Sequence, residues 1–209
     1  MRNLSTNHHK RPIKAIILAA GLSTRMGRTK QLLPFKGTTM LQYVIEQVLK
    51  LHCKEVIAVI GHDAVTIMEE IKISDPSFSW LINEDYANGQ SSSLYKGLSK
   101  VVFPEEDALV FLGDTPFIEK KTSEMIIERG QHIAREKNHP FTIRPLYNQT
   151  AGHPVYFANI SNTMIQSIQQ QSGKNFIRTI PYKEEIAVND RGILLDIDTR
   201  QRYEKLVDF

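Results

Sequence analysis

A single cysteine, Cys53, stands in the 209 residues, which excludes an internal disulfide and makes a cytoplasmic location the default expectation. It falls between an amphipathic helix and a strand, where a small packed residue is commoner than a reactive thiol. Internal repeats, low-complexity tracts and recognisable linkers are also missing, so the chain reads as one compact domain with 41% hydrophobic residues to build its core. Met1 to Arg11 contain no apolar stretch and read as a polar tail rather than a signal peptide or membrane anchor, with His8 and His9 as solvated tail residues. The expected division is therefore a flexible tail over 1–12 and one domain over 13–209. A basic surface is missing too. The formal charge of +3 comes from Arg2, Lys10 and Arg11, and from Pro12 onward 23 basic residues meet 23 acidic ones, so neither a nucleic-acid partner nor a membrane surface is indicated.

Two common phosphate-binding signatures are absent as well. A P-loop ends in Gly-Lys-Ser/Thr, whereas Gly27 is followed by Arg28-Thr29-Lys30; a dinucleotide fingerprint needs a second glycine two residues after the first, and Leu22-Ser23 follow Gly21 instead. What is present is a continuous apolar run, Ala15 to Ala19, leading into a loop bracketed by Gly21 and Gly27 that carries Arg25, Arg28 and Lys30. An uninterrupted apolar run is the pattern of a parallel strand covered on both faces, and open α/β sheets bind ligands where such strands end. The two glycines permit positive φ and close approach of backbone N–H groups to an anion, with Arg25 and Lys30 reaching over it; a polyphosphate fits this loop.

Apolar spacing along the chain alternates between strand and helix. Helical spacing over Met40 to Leu49 precedes a strand at Val56 to Ile60, completing a βαβ unit. A helix follows around Val65 to Ile71, then a strand at Phe78 to Ile82, a helix at Leu94 to Val102 and a strand at Ala108 to Leu112. The region from Ile118 to Glu136 is mainly helical, with extended pieces at Phe141 to Arg144 and Pro154 to Phe157. A helix from Asn159 to Gln170, a short strand at Ile193 to Ile197 and a final helix complete the pattern. The fold class is α/β: a single-domain, doubly wound, mostly parallel sheet.

Asp114 follows one of these buried strands and precedes Pro116, at the same sheet edge as Gly21. A hard cation bound to phosphates takes oxygen ligands, and a carboxylate at a strand tip can hold Mg²⁺ beside a triphosphate. Asp196 and Asp198 lie two residues apart in an extended run and share a face; periodicity does not choose between them. Asn88-Gly89 forms a tight turn, and Ser91 to Ser93 offer an N-cap and free backbone N–H groups at the start of the next helix, able to bind a base or ribose.

These segments together resemble the MobA-like nucleotidyltransferase family, in the branch that contains the molybdenum cofactor cytidylyltransferases and the purine-catabolism protein PucB. The resemblance is carried by Leu18 to Gly21, Arg25-Met26-Gly27, Lys30, Leu32-Leu33-Pro34, Asn83 with Gly89 to Leu94, Leu112 to Pro116, Gly152-His153-Pro154 and Asp196 to Thr199. It covers nearly the whole chain beyond the first dozen residues. It implies a Rossmann-like, GT-A-like fold and Mg²⁺-dependent transfer of a nucleoside monophosphate to a phosphorylated acceptor, with release of pyrophosphate. By resemblance, Arg25, Lys30 and Asp114 are catalytic, and Leu18, Ala19, Ala20, Gly21, Arg25, Lys30, Asn83, Gly89, Ser91 and Ser92 bind the nucleotide. Asp114 and Asp198 hold the metal, with Asp196 second, while His153 and Arg178 contact the acceptor.

The Ala19-Ala20-Gly21 form resembles cytidylyl-transferring members, which favours CTP as donor and a molybdopterin-type acceptor, with a molybdenum hydroxylase of the xanthine-dehydrogenase type as client. A phosphate-monoester acceptor has a second pKa of ~6 and needs no strong general base, consistent with the lack of a Ser-His-Asp pattern. Two departures bear on the acceptor. Thr115 replaces a glutamine, and Lys174 replaces an acid in the segment that retains Arg178. A sugar-phosphate nucleotidyltransferase, a cofactor-carrying maturation factor and a glycosyltransferase using Asp196 and Asp198 are the competing readings.

Overall fold

The computed structural model describes residues 10–23 and 26–207. Arg25, expected at the phosphate loop, and the His8-His9 pair lie outside the described residues. At the centre runs β1 (Ile13–Leu18), buried at every position except the half-buried Lys14. It is flanked in parallel by β4 (Glu55–Ile60) and β6 (Asp107–Leu112), and β5 (Phe78–Ile82) extends the sheet beyond β4. On the other side β9 (Val155–Ala158) runs antiparallel between β6 and β7 (Phe141–Tyr147), and β10 (Tyr182–Ala187) closes that edge in parallel with β7. The order is β10-β7-β9-β6-β1-β4-β5, with β8 (Thr150–Ala151) pairing the end of β7. Two antiparallel strands, β9 and the short β8, in an otherwise parallel sheet agree with the expected class.

Period-two alternation sends successive β1 residues to opposite cores. Ala15 and Ile17 meet α1 (Met40–Leu49), α2 (Ala64–Glu70) and α4 (Lys120–Glu136); Ile16 and Leu18 meet α3 (Gln90–Leu98), α5 (Asn162–Ser167) and α6 (Gly173–Thr179). A smaller cluster of Phe35, Met40 and Ile197 packs the hairpin of β2 (Pro34–Phe35) and β3 (Thr38–Thr39) against α7 (Arg200–Val207). Among the described residues no helix is long and apolar enough to cross a membrane.

The register positions the site. Leu18 pairs with both Leu112 and Val59, so β1 and β6 end level and their following residues emerge side by side. Gly113 donates its N–H to the Leu18 carbonyl at 2.9 Å.

Two expectations are corrected, and two elements are added. Ile193 to Ile197 is not a strand: Asp190 caps a 3-10 turn at Arg191–Leu194, its carboxylate accepting from the Gly192 N–H at 2.8 Å, and the next residues pair with no strand. Strand β10 and helix α6 were not expected. The β10 segment carries Lys183, Glu184 and Glu185, whose charges mask a half-buried alternation, and Arg129 binds Glu184 through two hydrogen bonds of 2.6 and 3.0 Å. The helix expected from Asn159 starts instead at Asn162, because Asn159 has φ of 56° and the Ser161 hydroxyl caps the Met164 N–H. Arg11, the last charge of the expected tail, donates to Asn159 at 2.7 Å and to the Ala134 carbonyl at 3.0 Å, and pairs with Asp107 at 3.5 Å.

Candidate active site

The loop after β1 is held open by a side chain that sequence reasoning missed. Gln31, only 1% exposed, donates from Nε2 to the carbonyls of Ala19 at 2.6 Å and Gly21 at 3.3 Å. Its Oε1 accepts from the Ser23 hydroxyl, which in turn accepts from the Lys30 N–H at 3.1 Å. A buried amide left without partners is costly, and here both of its ends are satisfied by the loop it shapes. The one available signal was a polar residue directly before Leu32-Leu33. Gly27 has φ of 68°, but Gly21 does not take the left-handed conformation the sequence suggested; Ser23 does, at 54°. Among the described residues no atom beyond its chain neighbours lies within 4 Å of where a Gly21 Cβ would stand, which leaves that backbone face open.

Lys30 and Asp114 meet across the mouth of this loop, Nζ to Oδ2 at 2.5 Å, with side chains 18% and 17% exposed. Asp114 reaches that point because Gly113 lets β6 end against β1: a Cβ there would stand 2.8 Å from that of Ala19. Thr115 lines neither of the cavities beside Asp114. It is buried, and its hydroxyl donates to the Leu112 carbonyl at 3.0 Å, so its difference from the family's glutamine falls on the strand end.

The two later acids are now distinguishable. The Ile197 N–H donates to the Asp114 carbonyl at 2.8 Å, which lays the segment carrying Asp198 against Asp114. Arg202 pairs with Asp196 at 2.8 Å and stands 4.0 Å from Asp198, the more buried of the two. Among the described residues no group of three or more His, Cys, Asp or Glu side chains is placed to hold a metal. Any divalent cation would therefore take its remaining ligands from a bound nucleotide and water, which is the habit of Mg²⁺ at phosphate sites.

Leu18 to Gly21, Lys30 and Asp114 line one side of a cleft of about 190 Å³, and Tyr86, Gly89, Gln90 and Ser93 line the other. Three expected nucleotide contacts are not part of its wall. Asn83 is fully buried, donating to the Ser92 hydroxyl at 2.8 Å and the Ser93 hydroxyl at 3.1 Å and accepting from the Asp85 N–H. Ser92 turns back to the Gly89 carbonyl at 2.8 Å, and Ser91 also lies off the lining. The reason is helical geometry. With α3 starting at Gln90, residues 89, 90 and 93 share the face toward the cleft, and 91 and 92 point elsewhere. Gly89 has φ of 92°, a conformation that favours glycine at this entry.

A second cavity of about 510 Å³ shares Leu18 and Gln90 with the first and extends over β9 toward α6. His153 lines it. Its Nδ1 stands 3.3 Å from the Val110 carbonyl, and burial pushes the imidazole down to about 4, so the ring is neutral at pH 7 with Nδ1 as donor. Arg178 does not reach this cavity. It is exposed at the end of α6, bonded to Asn175, and Gly173, Lys174 and Ile177 form the wall instead.

Comparison with known proteins agrees with this architecture. The profile of the family described as "MobA-like NTP transferase domain" matches residues 15–185. The molybdenum cofactor cytidylyltransferase of Escherichia coli strain K12 is 29% identical over 189 residues, covering 90% of this chain and 91% of that protein. The crystal structure of Rv0371c from Mycobacterium tuberculosis H37Rv superposes with a TM-score of 0.74 at 23% identity, covering 96% of this chain and all of that one. The complex of Rv0371c with manganese gives 0.69 at 21% identity, covering 94% and 98%. At these identities the structural likeness speaks for the fold alone.

Proposed function

Because this chain belongs to the MobA-like NTP transferase family and is a nucleotidyltransferase, we propose that it moves CMP from CTP to the molybdopterin form of the molybdenum cofactor, releasing pyrophosphate. The client would be a molybdenum hydroxylase of the xanthine-dehydrogenase type. The observation that carries the reading is the Lys30–Asp114 pair at the mouth of one cleft that shares Leu18 and Gln90 with a second, larger cavity. A transferase needs such adjacency, since donor and acceptor must meet in line.

The triphosphate lies along the open backbone of Leu18 to Gly21, with Gly89, Gln90 and Ser93 on the nucleoside side. Asn83, Ser91 and Ser92 serve by shaping that wall. Lys30 supplies charge to the phosphates, and Arg25, assigned by the resemblance alone, would add to it. The donor set at Asp114 and Asp198 is all hard oxygen, which fits Mg²⁺, and the manganese complex of Rv0371c supports a divalent ion in this fold. When bound there, the ion supplies positive charge that lowers the repulsion between the triphosphate and the acceptor anion. His153 contributes as a neutral hydrogen-bonding wall of the acceptor cavity. A general base is not required, because a phosphate monoester with a second pKa of ~6 is already ionised at pH 7.

Incubation with Mg²⁺, each nucleoside triphosphate and isolated molybdopterin cofactor, followed by pyrophosphate release, tests the reading. Turnover with CTP that disappears in Asp114→Ala supports it. Turnover with added sugar 1-phosphates, or none with any triphosphate, rejects it.

A further inference from the structure

The second cavity contains a cation that its own fold leaves incompletely bonded. Arg144 projects from β7 into the wall beside His153. A guanidinium has five N–H donors. One goes to the Ala151 carbonyl at 2.9 Å, and Nε points at the Gly152 carbonyl at 3.5 Å. Among the described residues no carboxylate lies within 4.0 Å of Arg144, so it forms no ion pair. Glu185, its register partner on β10, raises the Arg144 pKa through space but is exposed. Burial pulls the Arg144 guanidinium below its ordinary range, yet among the described residues the lining of the cavity includes no Asp or Glu to offset it and adds a second cation, Lys174. The remaining walls, including Leu94, Val110, Val155 and Phe157, are apolar.

A charged fork placed on an apolar cavity with unused donors is arranged for an oxyanion that arrives with the ligand. We propose that Arg144 is the specificity-determining residue for the acceptor, binding a phosphate-monoester dianion, with Lys174 adding charge at the mouth. Two cations and no acid match a dianion better than a carboxylate. The identity of the acceptor rests on the proposed function; the capture of a phosphate by Arg144 does not. The Lys174 position, where the family's acid is replaced by a base, then belongs to the same adaptation.

Calorimetric titration of the full chain with phenyl phosphate, which joins a flat apolar body to a phosphate, tests this without turnover. Arg144→Gln is expected to weaken binding by about tenfold or more, with Arg144→Lys intermediate because it keeps the charge and loses the fork. Binding of phenol should be unchanged, and the same Arg144 dependence should persist in a Lys30→Ala background, which excludes capture by the phosphate loop. A role confined to bracing the Ala151 and Gly152 carbonyls would lower the melting temperature of both variants and leave phenyl phosphate affinity intact, overturning the proposal. Affinity that follows Lys30 rather than Arg144, tighter binding of benzoate than of phenyl phosphate, or no binding at all would also overturn it. Should Arg144→Gln fail to fold, Arg144→Lys decides: unchanged affinity there rejects the site. Arg144-dependent binding without pyrophosphate release from CTP would reject the reaction and keep the anion site; release with Arg144-independent binding would reject the site alone.

Discussion

The N–H of Ile197 donates to the carbonyl of Asp114 across 2.8 Å, so one backbone contact holds together two acidic segments that are far apart in the chain. Ile197 is fully buried against Phe35 and Met40, which fixes the depth of the segment, and Asp198 follows directly.

From this arrangement Asp114→Asn and Asp198→Asn are each expected to reduce CTP-dependent pyrophosphate release by ~10²-fold or more, the scale for losing a charge-stabilising group at a transferring phosphoryl. Residues acting as one unit are not additive, so the double variant should fall little below either single one. Asp196→Asn, whose native partner is Arg202 at 2.8 Å, should retain activity within a few-fold. Equal loss in Asp196→Asn and Asp198→Asn, measured as kcat under saturating CTP, would remove the distinction between them.

Gln31 links the loop to the core through both ends of its amide. Gln31→Leu keeps the volume and leaves the Ala19 carbonyl without its donor at a buried position. The expected cost is ~1–3 kcal/mol in urea unfolding, with a raised KM for the nucleotide and a smaller change in kcat. An unchanged KM with the same loss of stability would show that the loop keeps its shape without this brace.

Much of the architecture was legible because it follows from burial on both faces. The runs Ala15 to Leu18 in β1, Val56 to Ile60 in β4 and Ala108 to Leu112 in β6 are apolar without interruption, as strands covered on both faces are. Asp114 and the loop after Leu18 were legible for the same reason, as the first polar residues after such runs. The edge strand β10 was not, since a half-exposed strand carries charges wherever solvent reaches it. Asn83, Ser91 and Ser92 were misplaced for a different cause: the start of α3 sets which residues face the cleft, and a one-residue shift in a helix start rotates every side chain by about 100°. Gln31 and Arg144 act through tertiary partners remote from any local pattern.

At the opposite end of β6, Asp107 is buried with no side-chain exposure, accepts from the Tyr156 hydroxyl at 2.6 Å and faces Arg11 at 3.5 Å. Burial raises its carboxyl from 3.8 to about 6, outweighing the lowering by Tyr156 and Arg11. Between those values the folded chain holds a proton that the unfolded chain has lost. This group's contribution to stability is therefore full below about pH 4 and declines as pH rises to about 6, by roughly 3 kcal/mol at ~1.36 kcal/mol per pH unit. Urea unfolding of the wild type and Asp107→Asn from pH 4 to 7 should show this decline in the difference between the two. A difference independent of pH would place the Asp107 pKa near its ordinary value.

Gly113 is where β6 gives way to the candidate site, and its missing side chain sets how closely the two strand ends approach. A Cβ at this position would stand 2.8 Å from the Ala19 Cβ and 3.2 Å from a Leu41 methyl group. Ala19 is itself buried, and its carbonyl is bonded to Gln31, so the neighbour has little room to yield. Gly113→Ala should therefore cost ~1–3 kcal/mol in unfolding and push Asp114 away from Lys30. Displacement of the carboxylate acts on the reacting geometry, and a misplacement of about 1 Å there is worth ~10²-fold in rate. The expected result is a variant that still folds and binds CTP but releases pyrophosphate about a hundredfold more slowly. Full activity in Gly113→Ala, with an unchanged melting temperature, would mean that the close approach of β1 and β6 does not govern the position of Asp114.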